Sequence, residues 1–266
     1  MIRTLLSAAL SAFVVSGANA HAGQYGAPPN DLRARLDALV AAYPDHLVSH
    51  TMTEVIWRDG SRMAVSDGRT DKTFAELLNA PDIDDMFAFA YPAGITASAP
   101  QVNHDPGRIR NEAFFAKIYG DCREDGRPAM ARVGWIRRYK GGGVKVTTIN
   151  QIDGALARVS ADLEKLPRKF VRYLIPSAGT YNCRIIAGTQ RLSVHAYAAA
   201  IDINVKAADY WRWSKPDANG RYRWRNKIPM EIVEIFERHG FIWGGRWYHY
   251  DTMHFEYRPE LIFSRP

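Results

Sequence analysis

The sequence predicts an α+β fold: a compact antiparallel sheet with flanking helices, preceded by an N-terminal α+β extension. Apolar residues recur at helical spacing in 31–42 and 153–166. Two β-prone stretches fold back around glycine-containing turns, Arg58-Asp59-Gly60-Ser61 and Gly141-Gly142-Gly143. The absence of internal repeats and low-complexity tracts fits one compact body rather than an array.

Taken in order, Arg3, the apolar run Leu5 to Val15 and the small-x-small ending Ala18-Asn-Ala20 predict a signal peptide over 1–20. The run is too short for a membrane span, no later stretch reaches that length, and no cysteine follows the cleavage site to carry a lipid. The expected location is therefore across the inner membrane, in the periplasm. Residues 21–149 form the predicted extension, and 150–266 the domain carrying the chemistry.

Within the extension, Asp31 is placed to cap a helix through Ala42, with Leu32, Leu36, Leu39 and Val40 on one face. Glu54–Trp57 and Arg62–Val65 read as a hairpin, Phe74–Leu78 as a short helix, and 91–110 as an irregular loop. A second hairpin spans Val133–Thr148. Asp153 is expected to cap a helix bearing Leu156, Val159, Leu163 and Leu166, ended by Pro167. Val171–Ile175 has strand character. A last helix starts with Pro229 in its first position and closes at Gly240.

Without residues 1–20 the chain holds 34 bases against 28 acids. That excess suits an anionic setting, but it lacks the basic runs that nucleic-acid binding needs. The clusters Arg137–Lys140 and Arg221–Arg225 read as solvated faces. Cys122 and Cys183 have no neighbours at zinc-finger or redox-motif spacing. In an oxidising compartment they most simply pair, closing a loop whose entropy stabilises by roughly 4 kcal/mol. Two buried thiols are the alternative.

Two segments carry the candidate chemistry: Ser193 to Asp202, and Asp251-Thr-Met-His254-Phe-Glu256. They supply two imidazoles and a carboxylate for a divalent metal, plus Asp251 three residues before the last histidine. Ile201–Val205 alternates as a strand, with Asp202 on the face opposite the isoleucines. His195 reaches the same point only if the chain between them turns. In the second segment His254 and Glu256 share one face, Met253 and Phe255 the other. Trp243, Trp247, Tyr248 and Tyr250 crowd this approach, most of them as core. His249 is a competing candidate ligand, but it lies out of step with the motif and is left out.

These residues resemble the D-alanyl-D-alanine carboxypeptidase and L-alanyl-D-glutamate peptidase family, zinc peptidases of peptidoglycan. Its pattern is Ser-x-His-x-x-Gly-x-Ala-x-Asp, later joined by Glu/Asp-x-x-His. Ser193, His195, Ala200 and Asp202 match the first half, and Asp251 with His254 the second. Phe241–Trp247 is also similar to the segment before the last ligand. The resemblance covers about 150–262. It implies Zn2+ held by His195, Asp202 and His254, Asp251 as general base, and Arg184 as the cation facing the oxyanion. A Cys122–Cys183 bridge would help fix that arginine. Ser193, Trp247 and Tyr250 would contact substrate. The implied partner is peptidoglycan or its peptide fragments, cut as a D,D-carboxypeptidase or an L-Ala-D-Glu-type endopeptidase, by a chain expected as a monomer. A zinc-containing wall-binding module with little catalysis is the alternative.

The chain departs from the pattern at Ala198, where the family has glycine. At positive φ an alanine there costs roughly 1–2 kcal/mol, and at negative φ almost nothing. No ligand is lost in either case.

Overall fold

Asp31 caps the first helix as its position predicts. Ala34 N–H donates to Asp31 Oδ1 at 2.8 Å, and α1 runs Leu32–Ala42 with Leu36 and Leu39 buried. This computed structural model describes residues 31–94, 97–124 and 126–262. The expected signal peptide and the segment 21–30 lie outside them.

After α1 come β1 (Leu47–His50), β2 (Glu54–Trp57) and β3 (Arg62–Ala64), an antiparallel meander in that order. The β2–β3 pair is the first expected hairpin; β1 adds an edge strand. Next is α2 (Phe74–Asn79), closed at its start by a capping box between Thr73 and Glu76. Past the irregular 91–110 stretch, α3 (Glu112–Tyr119) buries Phe114, Phe115, Ile118 and Tyr119. The second hairpin pairs β4 (Met130–Gly134) with β5 (Gly143–Thr147), Gly134 facing Gly143. It packs on α4 (Ile152–Leu163). That helix starts after Gln151, which holds positive φ, so Asp153 sits in the first turn rather than at the cap. It ends at Leu163, short of Leu166.

Val171–Ile175 is not a strand. Val171–Leu174 forms one helical turn, α5, with Ile175 N–H donating to Val171 O. No strand pairs with it, so its backbone is satisfied locally, and the Trp135 indole N–H takes the Leu174 carbonyl at 3.0 Å. The expected strand 201–205 is also shorter: β6 covers Ala200–Asp202. Asn204 then accepts the Lys206 N–H and starts a 3-10 turn. Helix α6 (Met230–Arg238) follows Pro229, which stands at the cap rather than inside.

The sheet that positions the site is formed by β6, β7 (Phe241–Trp243) and β8 (His254–Tyr257), in the order β6-β8-β7, all antiparallel. Its pleat sorts the residues. Ile201, Phe255 and Trp243 stand on the core face, and Phe255 stacks on Phe236 of α6 at 3.8 Å. Asp202, His254 and Glu256 stand on the other.

One hydrophobic cluster runs from Leu36, Phe114 and Trp135 to Val159, Phe236 and Phe255, joining 31–149 to the rest. Buried polar ties reinforce the join. Tyr43 O–H donates to Glu260 at 2.9 Å, Tyr91 O–H to Glu237 at 2.7 Å, and Arg258 Nη1 to Gly107 O at 2.6 Å. Cys122 and Cys183 form the expected disulfide, their Cα atoms 6.0 Å apart. Among the described residues, no helix is long and apolar enough to cross a membrane.

Candidate metal centre

His195 sits in a 3-10 turn, Val194–Tyr197, whose first N–H groups need acceptors. Ser193 supplies one, its Oγ accepting the His195 N–H at 3.3 Å. Ala198 closes the turn at φ 51°, ψ 28° and leads directly into β6. This is the turn His195 needs to meet Asp202. It requires the left-handed region, so the costly branch for alanine applies.

Ala198 is nonetheless fully buried. Replacing it with glycine would relieve about 1–2 kcal/mol of left-handed strain. It would also forfeit about 0.8 kcal/mol of methyl burial and 0.5–1 kcal/mol of backbone entropy. These terms nearly cancel. Ala198→Gly is expected to move unfolding stability by less than about 1 kcal/mol in a denaturant titration, with zinc content unchanged.

The strand register does the rest. Asp202 lies directly opposite His254, and their side chains meet at 2.9 Å (Oδ1 to Nδ1). His195 Nε2 lies 3.3 Å from Asp202 Oδ2 and 3.2 Å from His254 Nδ1. All three donors are thus mutually close. Ligands 2.0–2.1 Å from a tetrahedral zinc would be separated by roughly 3.3 Å, which is what these contacts approximate.

The outer hydrogen bonds settle which imidazole nitrogens face inward. His195 Nδ1 is 2.9 Å from the Thr180 carbonyl, which only accepts, so that nitrogen carries the hydrogen. His254 Nε2 is 3.1 Å from Glu256 Oε2 and donates to it. In the neutral rings His195 Nε2 and His254 Nδ1 therefore point lone pairs at each other beside a carboxylate. Such an arrangement calls for positive charge between them, and the donor set fits a divalent metal.

The same demand for positive charge shows in the electrostatics, where a proton on His254 meets it when no ion is bound. Burial opposes ionisation of Asp202, but its hydrogen bond and charge interaction with His195 hold it well below the usual carboxylate range. Burial pushes His254 down, yet its hydrogen bonds to Asp202 and Glu256 outweigh that and lift it to about 10. Glu256 is fully buried; burial raises it, but Arg110 and His254 hold it at about 2. Asp251 goes the other way, raised to about 6 by burial and then by the Asp202 charge. Its Oδ1 is buried without a hydrogen-bond partner.

These groups line a cavity of about 130 Å3 that also takes in Arg108, Arg110, Arg184, Arg212, Trp211 and Trp247. Arg184 is exposed at its rim, and the Arg184 carbonyl accepts the Ser193 N–H at 3.0 Å. Ser193 and Trp247 line the cavity as well. The Trp247 ring lies 5.5 Å from that of His254, and its indole N–H donates to Pro106 O at 2.6 Å. Tyr250 is not brought to the cavity. It is fully buried, and its hydroxyl pairs with Ser214 at 2.9 Å. Trp243 and Tyr248 are core.

Several cavity residues escape the sequence reading, among them Arg108, Arg110, Trp211 and Arg212, and His249 is left out of it. His249 lines the cavity, with Nδ1 2.7 Å from the buried Asp105 carboxylate and its backbone N–H on the same side chain. The partner that orients it lies far upstream in a loop without periodicity, so no local pattern marks it.

Residues 187–257 match the family described as D-alanyl-D-alanine carboxypeptidase. Over that segment the chain is similar to this peptidase family. The match contains Ser193, His195, Asp202, Asp251 and His254, and leaves out Arg184 and everything upstream. The chain matches no curated protein and no solved structure. The peptidase segment thus includes every candidate metal ligand, while Thr180, Arg108 and Arg110 come from outside it.

Proposed function

We propose that the chain is an exported zinc peptidase that hydrolyses peptide bonds in peptidoglycan stem peptides. The observation that carries this reading is the close approach of two imidazole nitrogens to each other and to Asp202, with Asp251, whose Oδ1 has no hydrogen-bond partner, lining the same cavity. His195 Nε2, His254 Nδ1 and Asp202 would hold the ion. A zinc ion in such a site polarises a carbonyl and acidifies water.

The remaining work falls to the protein. Asp251 takes the proton of the attacking water and passes it to the leaving amine. The carbonyl carbon gains an oxygen, the C–N bond breaks, and a carboxylate and an amine leave. Arg184, at the rim, faces the negative charge that develops on the carbonyl oxygen. Thr180 and Glu256 keep each imidazole in the ligating tautomer. Export is supported by the Cys122–Cys183 disulfide, which oxidising compartments favour.

The test is amine release from a stem peptide ending in D-Ala-D-Ala and containing an L-Ala-D-Glu bond, before and after chelation. Release that chelator abolishes and zinc restores is the expected result, and the product identifies the bond. Zinc binding without release under any metal would leave a wall-binding module instead.

A further inference from the structure

Residues 104–110 lie outside the matched segment, yet they build one wall of the metal cavity. The wall is tied down along its length. His104 O accepts the Tyr248 N–H at 3.0 Å, Asp105 holds His249, and Pro106 O takes the Trp247 indole. Gly107 packs so closely that a Cβ there would meet Ile242 at 2.2 Å, at a φ of +91° that favours glycine anyway. Arg110 Nη1 is 3.2 Å from Glu256 Oε2.

Arg108 projects from this wall as a held but unfilled cation. Its Nη1 donates to Asp105 Oδ2 at 3.0 Å, and its guanidinium lies 5.5 Å from the Trp247 ring centre. Its other N–H groups have no hydrogen bond among the described residues, and the side chain is 18% exposed, at the cavity. Two of the three cavity carboxylates are engaged elsewhere, and Asp251 feels the Arg108 charge without forming an ion pair with it. Glu256 pairs with Arg110, Asp202 with the two histidines, and none forms an ion pair with Arg108. Asp105 and Trp247 thus fix one edge and one face of a planar fork whose free edge matches a carboxylate.

We propose that Arg108 binds a carboxylate of the peptide substrate, so that a residue outside the family segment sets substrate choice. This rests on the peptidase reading above. A stem peptide offers two such groups, the terminal α-carboxylate and the D-Glu side chain, and the test separates them.

Affinity would be measured by calorimetry on the zinc-loaded Asp251→Asn protein, in which turnover is expected to be slowed about 10^2- to 10^4-fold. Three peptides are compared: one with D-Glu and a free D-Ala-D-Ala terminus, its C-terminal amide, and its D-Gln analogue. With Arg108 present, one of the two neutralised peptides is expected to bind about 10- to 100-fold more weakly than the parent. In Arg108→Gln that difference should vanish, with affinity for the weak peptide unchanged, and Arg108→Lys should restore part of it. The weak peptide serves as the control for folding. Equal discrimination with and without Arg108, or none in either, would overturn the inference. The peptidase reading is judged separately, by cleavage of the parent peptide in the protein that retains Asp251. Cleavage with unaltered discrimination in Arg108→Gln sinks only the arginine's role. Arginine-dependent discrimination without cleavage sinks only the peptidase.

Discussion

Asp251→Asn is expected to lower kcat by about 10^2- to 10^4-fold while zinc stays bound one per chain. Asparagine keeps the size of the side chain but cannot take a proton. The aspartate is not among the ligand atoms: His195 Nε2, His254 Nδ1 and Asp202 form the cluster without it. Nor does a native hydrogen bond hold its Oδ1, so the substitution breaks no contact there. The effect should appear in turnover with little change in KM. Stopped peptide assays with parallel metal analysis would check it. Loss of zinc together with activity would instead mean that Asp251 helps hold the ion.

Glu256→Ala is expected to cost about 3–5 kcal/mol of folding stability and to weaken zinc about 10- to 100-fold. Glu256 is fully buried and meets three partners: His254 at 3.1 Å, Arg110 at 3.2 Å and Arg258 at 3.4 Å. Removing it leaves Arg110 with no ion-pair partner among the described residues and Arg258 with Glu260 alone. It also frees the His254 ring to exchange tautomers. Denaturant unfolding would report the first effect and competition with a chromophoric chelator the second. Unchanged zinc affinity in a protein that still folds would show that the carboxylate serves only to neutralise the arginines.

The candidate metal site was legible because its information is local. Period-two alternation put Asp202 on the face away from Ile201, and His254 with Glu256 on a single face; the strand register then set Asp202 opposite His254. The need for a turn after His195 was also readable, though not that Ala198 would make it at positive φ. What stayed hidden depends on contacts distant in sequence. Nothing near His249 announces Asp105, and nothing near Arg108 or Arg110 announces Trp247 or Glu256, because those pairs join a proline-rich loop to a late strand and turn. Tyr250, which the resemblance implies as a substrate contact, is instead drawn inward to Ser214. Val171–Ile175 had β-prone residues and no strand to pair with, so tertiary context overrode propensity. Helix α3 is absent from the sequence reading although its signals are local. Asn111 caps it through the Phe114 N–H, and Phe114, Phe115 and Ile118 follow at helical spacing.

The most direct test of the central claim is a paired determination on the purified protein and its Asp251→Ala variant. Zinc per chain would be measured alongside peptide release from purified peptidoglycan stems. One zinc in both proteins, with release only from the unaltered one, is the predicted result. A protein that binds no zinc would contradict the reading of His195, Asp202 and His254 as its ligands.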